Sequence, residues 1–230
     1  MLLIADIGGY TEYMQFHRSV LGHAEAATAR MLDRIVDAAR GFTLVEIEGD
    51  AAFLSRDAEG LDGPSALRIA ADAAAAMHQA FHAERRYVEL NMCPCGSCTQ
   101  TNGLKLKFVA HVGEVAVQTI RKRQKLVGVA VIHVHRLLKN PVQLPEYLLV
   151  SDELLGSGAG PSLLVTQELA LDLEGIGPVR THVIDVTDLE PGPAIADPSW
   201  ARRIGGTFAM VGRGLPYALR RRRPVLSTAG

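Results

Sequence analysis

Near the start of this 230-residue chain, two aspartates stand in apolar surroundings. Asp6 lies in Leu2-Leu3-Ile4-Ala5-Asp6-Ile7-Gly8-Gly9-Tyr10-Thr11, and Asp50 in Leu44-Val45-Glu46-Ile47-Glu48-Gly49-Asp50-Ala51-Ala52-Phe53. The first segment reads as a buried strand running into a glycine turn. The second reads as a β-hairpin with Gly49-Asp50 at its tip. Two carboxylates brought to one edge of a strand pair make an oxygen-only site for hard divalent cations, Mg²⁺ or Mn²⁺, which usually arrive with phosphates.

A second cluster is soft rather than hard. Cys93-Pro94-Cys95-Gly96-Ser97-Cys98 packs all three cysteines of the chain into six positions. Just upstream, His78 and His82 are spaced i, i+4 and share one helix face. Three thiolates and one imidazole form a closed tetrahedral zinc set, which is structural rather than catalytic. His82, nearer in sequence, is the expected fourth ligand; the alternative is a loop of reduced thiols beside ordinary helix histidines. An iron–sulfur cluster fits less well without a fourth cysteine. An odd count in so short a span is no secreted disulfide framework.

The elements that must hold these residues follow from periodicity. Thr11 to Ala39 carries apolar residues at threes and fours, a helical rhythm ended by Gly41. The hairpin 43–55 follows. A Gly/Pro/Asp loop at 57–64 leads to Ser65, the expected N-cap of an Ala-rich helix to about Arg86. Residues 92–103 read as loop, and Lys105 to Val117 as strand broken at Gly113. Val131 to Leu138 reads two ways, as a strand from its β-branched start or as a short helix stopping before Pro141. Tyr147 to Val150 is an expected strand, and 163–172 with 179–186 an expected hairpin around Gly175-Ile176-Gly177. The order β-α-β-β-α-β with further αβ elements is an α+β, ferredoxin-like arrangement. It is expected to fill residues 1–188 as one domain, with 189–230 as a basic C-terminal extension.

Charge narrows the partners. The formal net charge is −1, yet from Trp200 onward there are seven arginines and no acid. An acidic body with a basic tail argues against a nucleic-acid-binding core. No run reaches the roughly 18 apolar residues of a membrane span. The N-terminus lacks the basic and apolar regions of a signal peptide, so a cytoplasmic location is expected.

Four motifs in order carry a family resemblance over residues 1–150. Asp6-Ile7-Gly8-Gly9-Tyr10-Thr11 resembles the Asp-Ile-x-Gly-Phe-Thr opening of class III nucleotidyl (adenylate/guanylate) cyclases, and Glu46-Ile47-Glu48-Gly49-Asp50-Ala51 their second metal motif. Phe108 to Glu114 is similar to the strand that reads Gly-Ile-His-x-Gly. Gly128 through Arg136 sits where the family has Gly-x-x-Val-Asn-x-Ala-x-Arg. The cysteine cluster and His135-Arg136-Leu137-Leu138-Lys139-Asn140 look more like an uncharacterised bacterial branch with a Cys-x-Cys-x-x-Cys insertion.

The resemblance implies a cyclase catalytic fold and a homodimer. It implies two Mg²⁺ or Mn²⁺ ions on Asp6 and Asp50, and a nucleoside triphosphate bound through Ile7, Gly8, Gly9, Tyr10 and Thr11. It also implies Arg136 facing the other subunit's aspartates. Two departures matter. The Asn that pairs with the Arg is Ile132 here, and losing one such donor typically costs ~10²–10³ in rate. His133 and His135 lie nearby as substitutes or as plain helix-face residues. The base-selecting positions hold Glu46 and Lys125, which either read a base or pair with each other, leaving the nucleotide open. Three functions are therefore expected in order: an active cyclase, a nucleotide-binding pseudo-cyclase stabilised by a structural zinc, and a zinc-stabilised interaction module.

Overall fold

The computed structural model describes residues 1–16, 21–92, 95–156 and 164–189, with isolated positions 204, 205 and 208. Nearly all of the extension beyond residue 188 therefore lies outside the described residues.

A seven-stranded sheet runs in the order β2-β3-β1-β4-β7-β9-β8. Its strands are β1 (Leu2–Gly8), β2 (Thr43–Glu48), β3 (Ala51–Ser55), β4 (Lys105–His111), β7 (Tyr147–Ser151), β8 (Gln167–Leu173) and β9 (Gly177–Asp185). Strand β1 is antiparallel to both β3 and β4, and β4 pairs with β7 in parallel. The first four strands thus form the split βαβ of the ferredoxin-like arrangement. A separate ribbon, β5 (Ala116–Ile120) and β6 (Arg123–Val127), stands off the sheet.

The two faces of β1 sort by alternation. Leu3, Ala5 and Ile7 join Leu106, Phe108 and Ala110 of β4 under helices α2 (Leu21–Ala38) and α3 (Gly63–Asn91). Leu2 and Ile4 join Phe53 and Val109 under helix α5 (Val129–Leu137). A one-residue slip of β1 would exchange the two sets, so register is fixed by burial on both sides. Asp6 shares the α5-facing parity of Leu2 and Ile4.

Several expected boundaries move, each for a local reason. The rhythm of 11–39 is split into α1 (Tyr10–Phe16) and α2. Helix α3 is capped by Asp62, whose carboxylate accepts from the Ser65 amide at 2.9 Å, rather than by Ser65 itself. Pro64 fits inside the first turn, where its missing N–H has no intrahelical partner to lose. At the other end α3 runs on to Asn91, because Val88 continues the buried stripe of Met77 and Phe81. The ambiguous segment is α5: Ala130, His133, Val134 and Leu137 bury one face at helical spacing, and Asn140 caps the Leu137 carbonyl at 2.7 Å. The segment expected as loop at 92–103 contains α4 (Gly96–Thr99) and a 3₁₀ turn, Gln100–Gly103. Helix α6 (Asp152–Leu155) follows β7.

Candidate active site

Asp6 lies opposite Ala51 of β3 on one side and Lys107 of β4 on the other. The Asp50 carbonyl accepts from the Ile7 amide at 3.1 Å, which closes the β2–β3 turn against β1. Gly49 makes that turn with φ +66°, a conformation glycine adopts without strain. Burial, and then the nearby Asp6 charge, raises the Asp50 carboxyl above its ordinary value. Lys107 Nζ lies 2.9 Å from Asp6 Oδ2. Burial alone would lower the Lys107 ammonium, but its hydrogen bond to Asp6 and the charges of Asp6 and Asp50 raise it overall. Tyr10, just past the Gly8–Gly9 turn, is raised by burial and then by the charge of Asp50. Two carboxylates, one ammonium and a phenol therefore share one electrostatic neighbourhood.

The two positions expected to select the base meet each other. Lys125 Nζ is 3.4 Å from Glu46 Oε2, both side chains half exposed. Arg136 instead pairs with Glu174 of the β8–β9 turn, Nη1 to Oε2 at 2.8 Å. It lines an open cleft with Val131, Ile132, His135, Lys139 and Asp172 to Glu174, and neither aspartate is among the residues bounding that cleft. Within one chain, Asp6 and Asp50 are brought together and Arg136 is directed to a different opening.

The two histidines near Ile132 have different surroundings. His135 is held by Glu48, Nε2 to Oε2 at 3.0 Å, and by the Val131 carbonyl at 2.7 Å, with its ring edge-on to Phe53. His133 is buried and stacks on His111 with ring centroids 4.1 Å apart. His133 Nε2 has no hydrogen-bond partner. Ile132 itself is exposed.

The cysteine expectation needs correction in its histidine. His82 Nε2 donates to the Glu146 carboxylate at 2.8 Å, and His78 Nε2 meets the same carboxylate at 3.2 Å. Glu146 also accepts from the Leu106 amide at 2.9 Å, so this buried network ties α3 to β4. Those three contacts hold the Glu146 carboxyl far below its usual range, against the opposing effect of burial. The imidazole beside the thiols is His23, not His82. Cys93 lies outside the described residues.

Sequence reasoning missed Lys107, Glu174 and His23. Lys107 was findable, because it shares strand parity with Val109 and His111, whose motif had already been placed on β4. Glu174 and His23 act across long sequence separations that no local pattern reveals.

This fold is that of the class III nucleotidyl cyclase catalytic domain. It matches the guanylyl cyclase Cya2 with a TM-score of 0.57 at 21% identity, covering 80% of this chain and 89% of that one. The adenylyl cyclase CyaB from P. aeruginosa matches with a TM-score of 0.52 at 17% identity, over 80% and 92%. The adenylate/guanylate cyclase/hydrolase from Silicibacter pomeroyi matches with 0.51 at 18%, over 80% and 94%. At these identities the likeness concerns the fold. By sequence, the chain belongs to DUF2652, a family of proteins of unknown function whose family model matches residues 28–147. It is 36% identical over 192 residues to the uncharacterized protein Rv2561/Rv2562 of Mycobacterium tuberculosis (strain ATCC 25618 / H37Rv), covering 83% of this chain and 88% of that protein.

Proposed function

We propose that two copies of this chain form a metal-dependent nucleotidyl cyclase that converts a nucleoside triphosphate to a cyclic nucleotide and pyrophosphate. The observation that carries this reading is the seating of the Asp50 turn against the Asp6 strand, the Ile7 amide donating to the Asp50 carbonyl at 3.1 Å; burial, and then Asp6, raises the Asp50 carboxyl there. Divalent cations relieve such repulsion, and an oxygen-only donor set suits Mg²⁺ or Mn²⁺ over softer metals. Bound there, the ions would lower the pKa of the ribose hydroxyl and neutralise charge on the transferring phosphate.

The chain's own residues supply the rest. Asp6 and Asp50 would hold the ions, and Lys107 neutralises Asp6 beside them. The turn from Ile7 through Gly8, Gly9 and Tyr10 to Thr11 carries the triphosphate. Glu46 and Lys125 part from each other to read the base. Arg136 of a second copy offers a fixed charge and forked donors to phosphate oxygens. A second copy is favoured because Arg136 opens away from its own aspartates, beside Val129 and Ile132, which are exposed apolar positions of α5.

Incubation with each of four nucleoside triphosphates and Mn²⁺, read by mass spectrometry, tests the reading. The expected result is one cyclic product with equimolar pyrophosphate from the parent chain and none from Asp50→Ala. Triphosphate binding without any cyclic product supports the second reading, a nucleotide-binding regulator. Ile132 at the Asn position, with His135 held by Glu48 and His133 buried against His111, is the observation that favours it.

A further inference from the structure

His23, Cys95 and Cys98 place one ring nitrogen and two sulfurs within 4.8 Å of one another. His23 Nδ1 lies 3.3 Å from Cys95 Sγ, across 72 residues of sequence. The two cysteines are set by a single turn of backbone. The amides of Cys98 and Thr99 both donate to the Cys95 carbonyl at 3.1 Å, and the Thr99 hydroxyl donates to the same oxygen. The Thr101 hydroxyl donates to the Cys98 carbonyl at 3.0 Å, which locks the far end of the turn. Cys98 is fully buried, while His23 and Cys95 are half-buried. His23 comes from the first turn of α2, which packs on α4.

We propose that His23, Cys95 and Cys98 bind one structural zinc ion that clasps the start of α2 to the segment leading into β4. Zinc bonds thiolate sulfur at about 2.3 Å and imidazole nitrogen at about 2.0–2.1 Å, so neighbouring ligand atoms of a tetrahedral site lie about 3.3–3.8 Å apart. The His23–Cys95 separation of 3.3 Å falls at the lower end of that range, and all three ligand atoms lie within 4.8 Å of one another. Thiolate sulfur with imidazole selects zinc over the hard cations proposed for Asp6 and Asp50. A fourth ligand completes the tetrahedron.

Such a clasp has a defined place in the fold. Tyr13 of α1 is buried against these thiols: burial first, then Cys98 and Cys95, raise its hydroxyl far above the ordinary value. The 3₁₀ turn that follows the cysteines backs onto Gly9, where an added Cβ would come 3.5 Å from the Gly103 carbonyl. One rigid segment therefore supports both α1 and the Gly8–Gly9 turn ahead of it. Zinc binding would hold that turn in place. This last consequence rests on the cyclase reading; the ion itself does not.

Elemental analysis of the full-length chain, purified without chelator, is expected to give about one zinc per chain. Titration of the thiols with a mercurial should release the ion in step with Cys modification. His23→Ala should lose zinc to a competing chelator at least tenfold more readily than the parent, whereas His82→Ala should retain it. Because a cysteine substitution can prevent folding, His23→Cys serves as the second variant. It should keep one metal per chain and, after cobalt exchange, add intensity to the thiolate-to-cobalt charge-transfer band. A full-length chain purified free of zinc, or His23→Ala that holds the ion as tightly as the parent, overturns the assignment. Neither readout depends on turnover, so a failed cyclase assay leaves it unaffected.

Discussion

Lys107 reaches Asp6 at 2.9 Å from the facing position of the neighbouring strand. The ammonium neutralises one carboxylate of a pair whose other member, Asp50, is raised by burial and by Asp6. A lysine on one strand thus shields a carboxylate on the next.

Lys107→Met should therefore tighten Mn²⁺ binding. A partly exposed ion pair contributes roughly 1 kcal/mol or less, so the gain should be on the order of three- to fivefold in affinity. Asp50→Asn should act in the opposite sense on ligand and fold. Its carboxyl is raised in the folded state, so the folded chain holds that proton more firmly than the unfolded one. Stability from this group is lost as pH rises through the raised value, and the ionised form is a net cost at neutral pH. Asp50→Asn should melt slightly higher than the parent at pH 7 and lose the Mn²⁺-induced rise in Tm. Titration calorimetry and melting with and without Mn²⁺ read both effects. Weaker Mn²⁺ binding in Lys107→Met would show that the lysine aids the site instead.

Acid should unfold this protein through His111. Burial, and then neighbouring His133, lower His111 from about 6.5 to about 4. The folded state therefore keeps the ring neutral, Nδ1 2.8 Å from the Ser151 hydroxyl, while the unfolded chain takes up a proton. Stability is complete above about pH 6.5 and declines as pH falls toward 4, by on the order of 2 kcal/mol. Urea unfolding at pH 7.0, 6.0, 5.0 and 4.5 should show that decline in the parent and a flatter profile in His111→Asn. Equal slopes in the two proteins would place the acid sensitivity elsewhere.

How much was legible from the chain follows from the range of each interaction. The β-α-β-β-α-β order was readable because β1, the 43–55 hairpin and the Ala-rich helix each carry a strong local period. The Asp50 turn lies against the strand that carries Asp6, since Ile7 and Asp50 share a backbone hydrogen bond. Segment 131–138 was undecided because Val131, Ile132 and Val134 favour strand by type, while burial at Ala130, His133, Val134 and Leu137 makes it a helix. His82 was chosen by nearness in sequence, but its ring points to Glu146, which follows α3 by more than fifty residues. Glu146 has no neighbours in sequence that announce a buried carboxylate. The pairing of Glu46 with Lys125 was one of two open readings, and the structure has them in contact.

Ile132 offers a direct test of the missing donor. It is exposed on α5 one turn before Arg136, whereas His133 is buried and His135 is held by Glu48. Asn at this position has room and introduces a donor without disturbing the buried face. Ile132→Asn should raise the rate of cyclic-product formation by about tenfold to a hundredfold, somewhat less than the full ~10²–10³ typical of one oxyanion-type donor. Its Tm should stay within about 2 °C of the parent, because an exposed site contributes little to stability. An unchanged rate with unchanged triphosphate binding would mean that another group already fills the role.

The Arg136–Glu174 pair bears on the proposed two-copy site. Glu174 lies at the tip of the β8–β9 turn and is almost wholly exposed, so its hold on Arg136 is readily given up in favour of a phosphate. Arg136→Ala should abolish turnover while leaving Mn²⁺ binding by Asp6 and Asp50 intact, because the arginine belongs to the other half of the site. Asp50→Ala should abolish both. Mixed in equal amounts after subunit exchange, the two inactive variants should recover roughly a quarter of the parental activity. Half of the dimers are then mixed, and each mixed dimer holds one whole site of two. Glu174→Ala should leave the cyclase active and lower KM for the triphosphate, since it removes the competitor for Arg136. A mixture as inactive as its components, with dimers confirmed by light scattering, would require that Arg136 serve its own chain's aspartates. A strictly monomeric chain that still turns over would require the same.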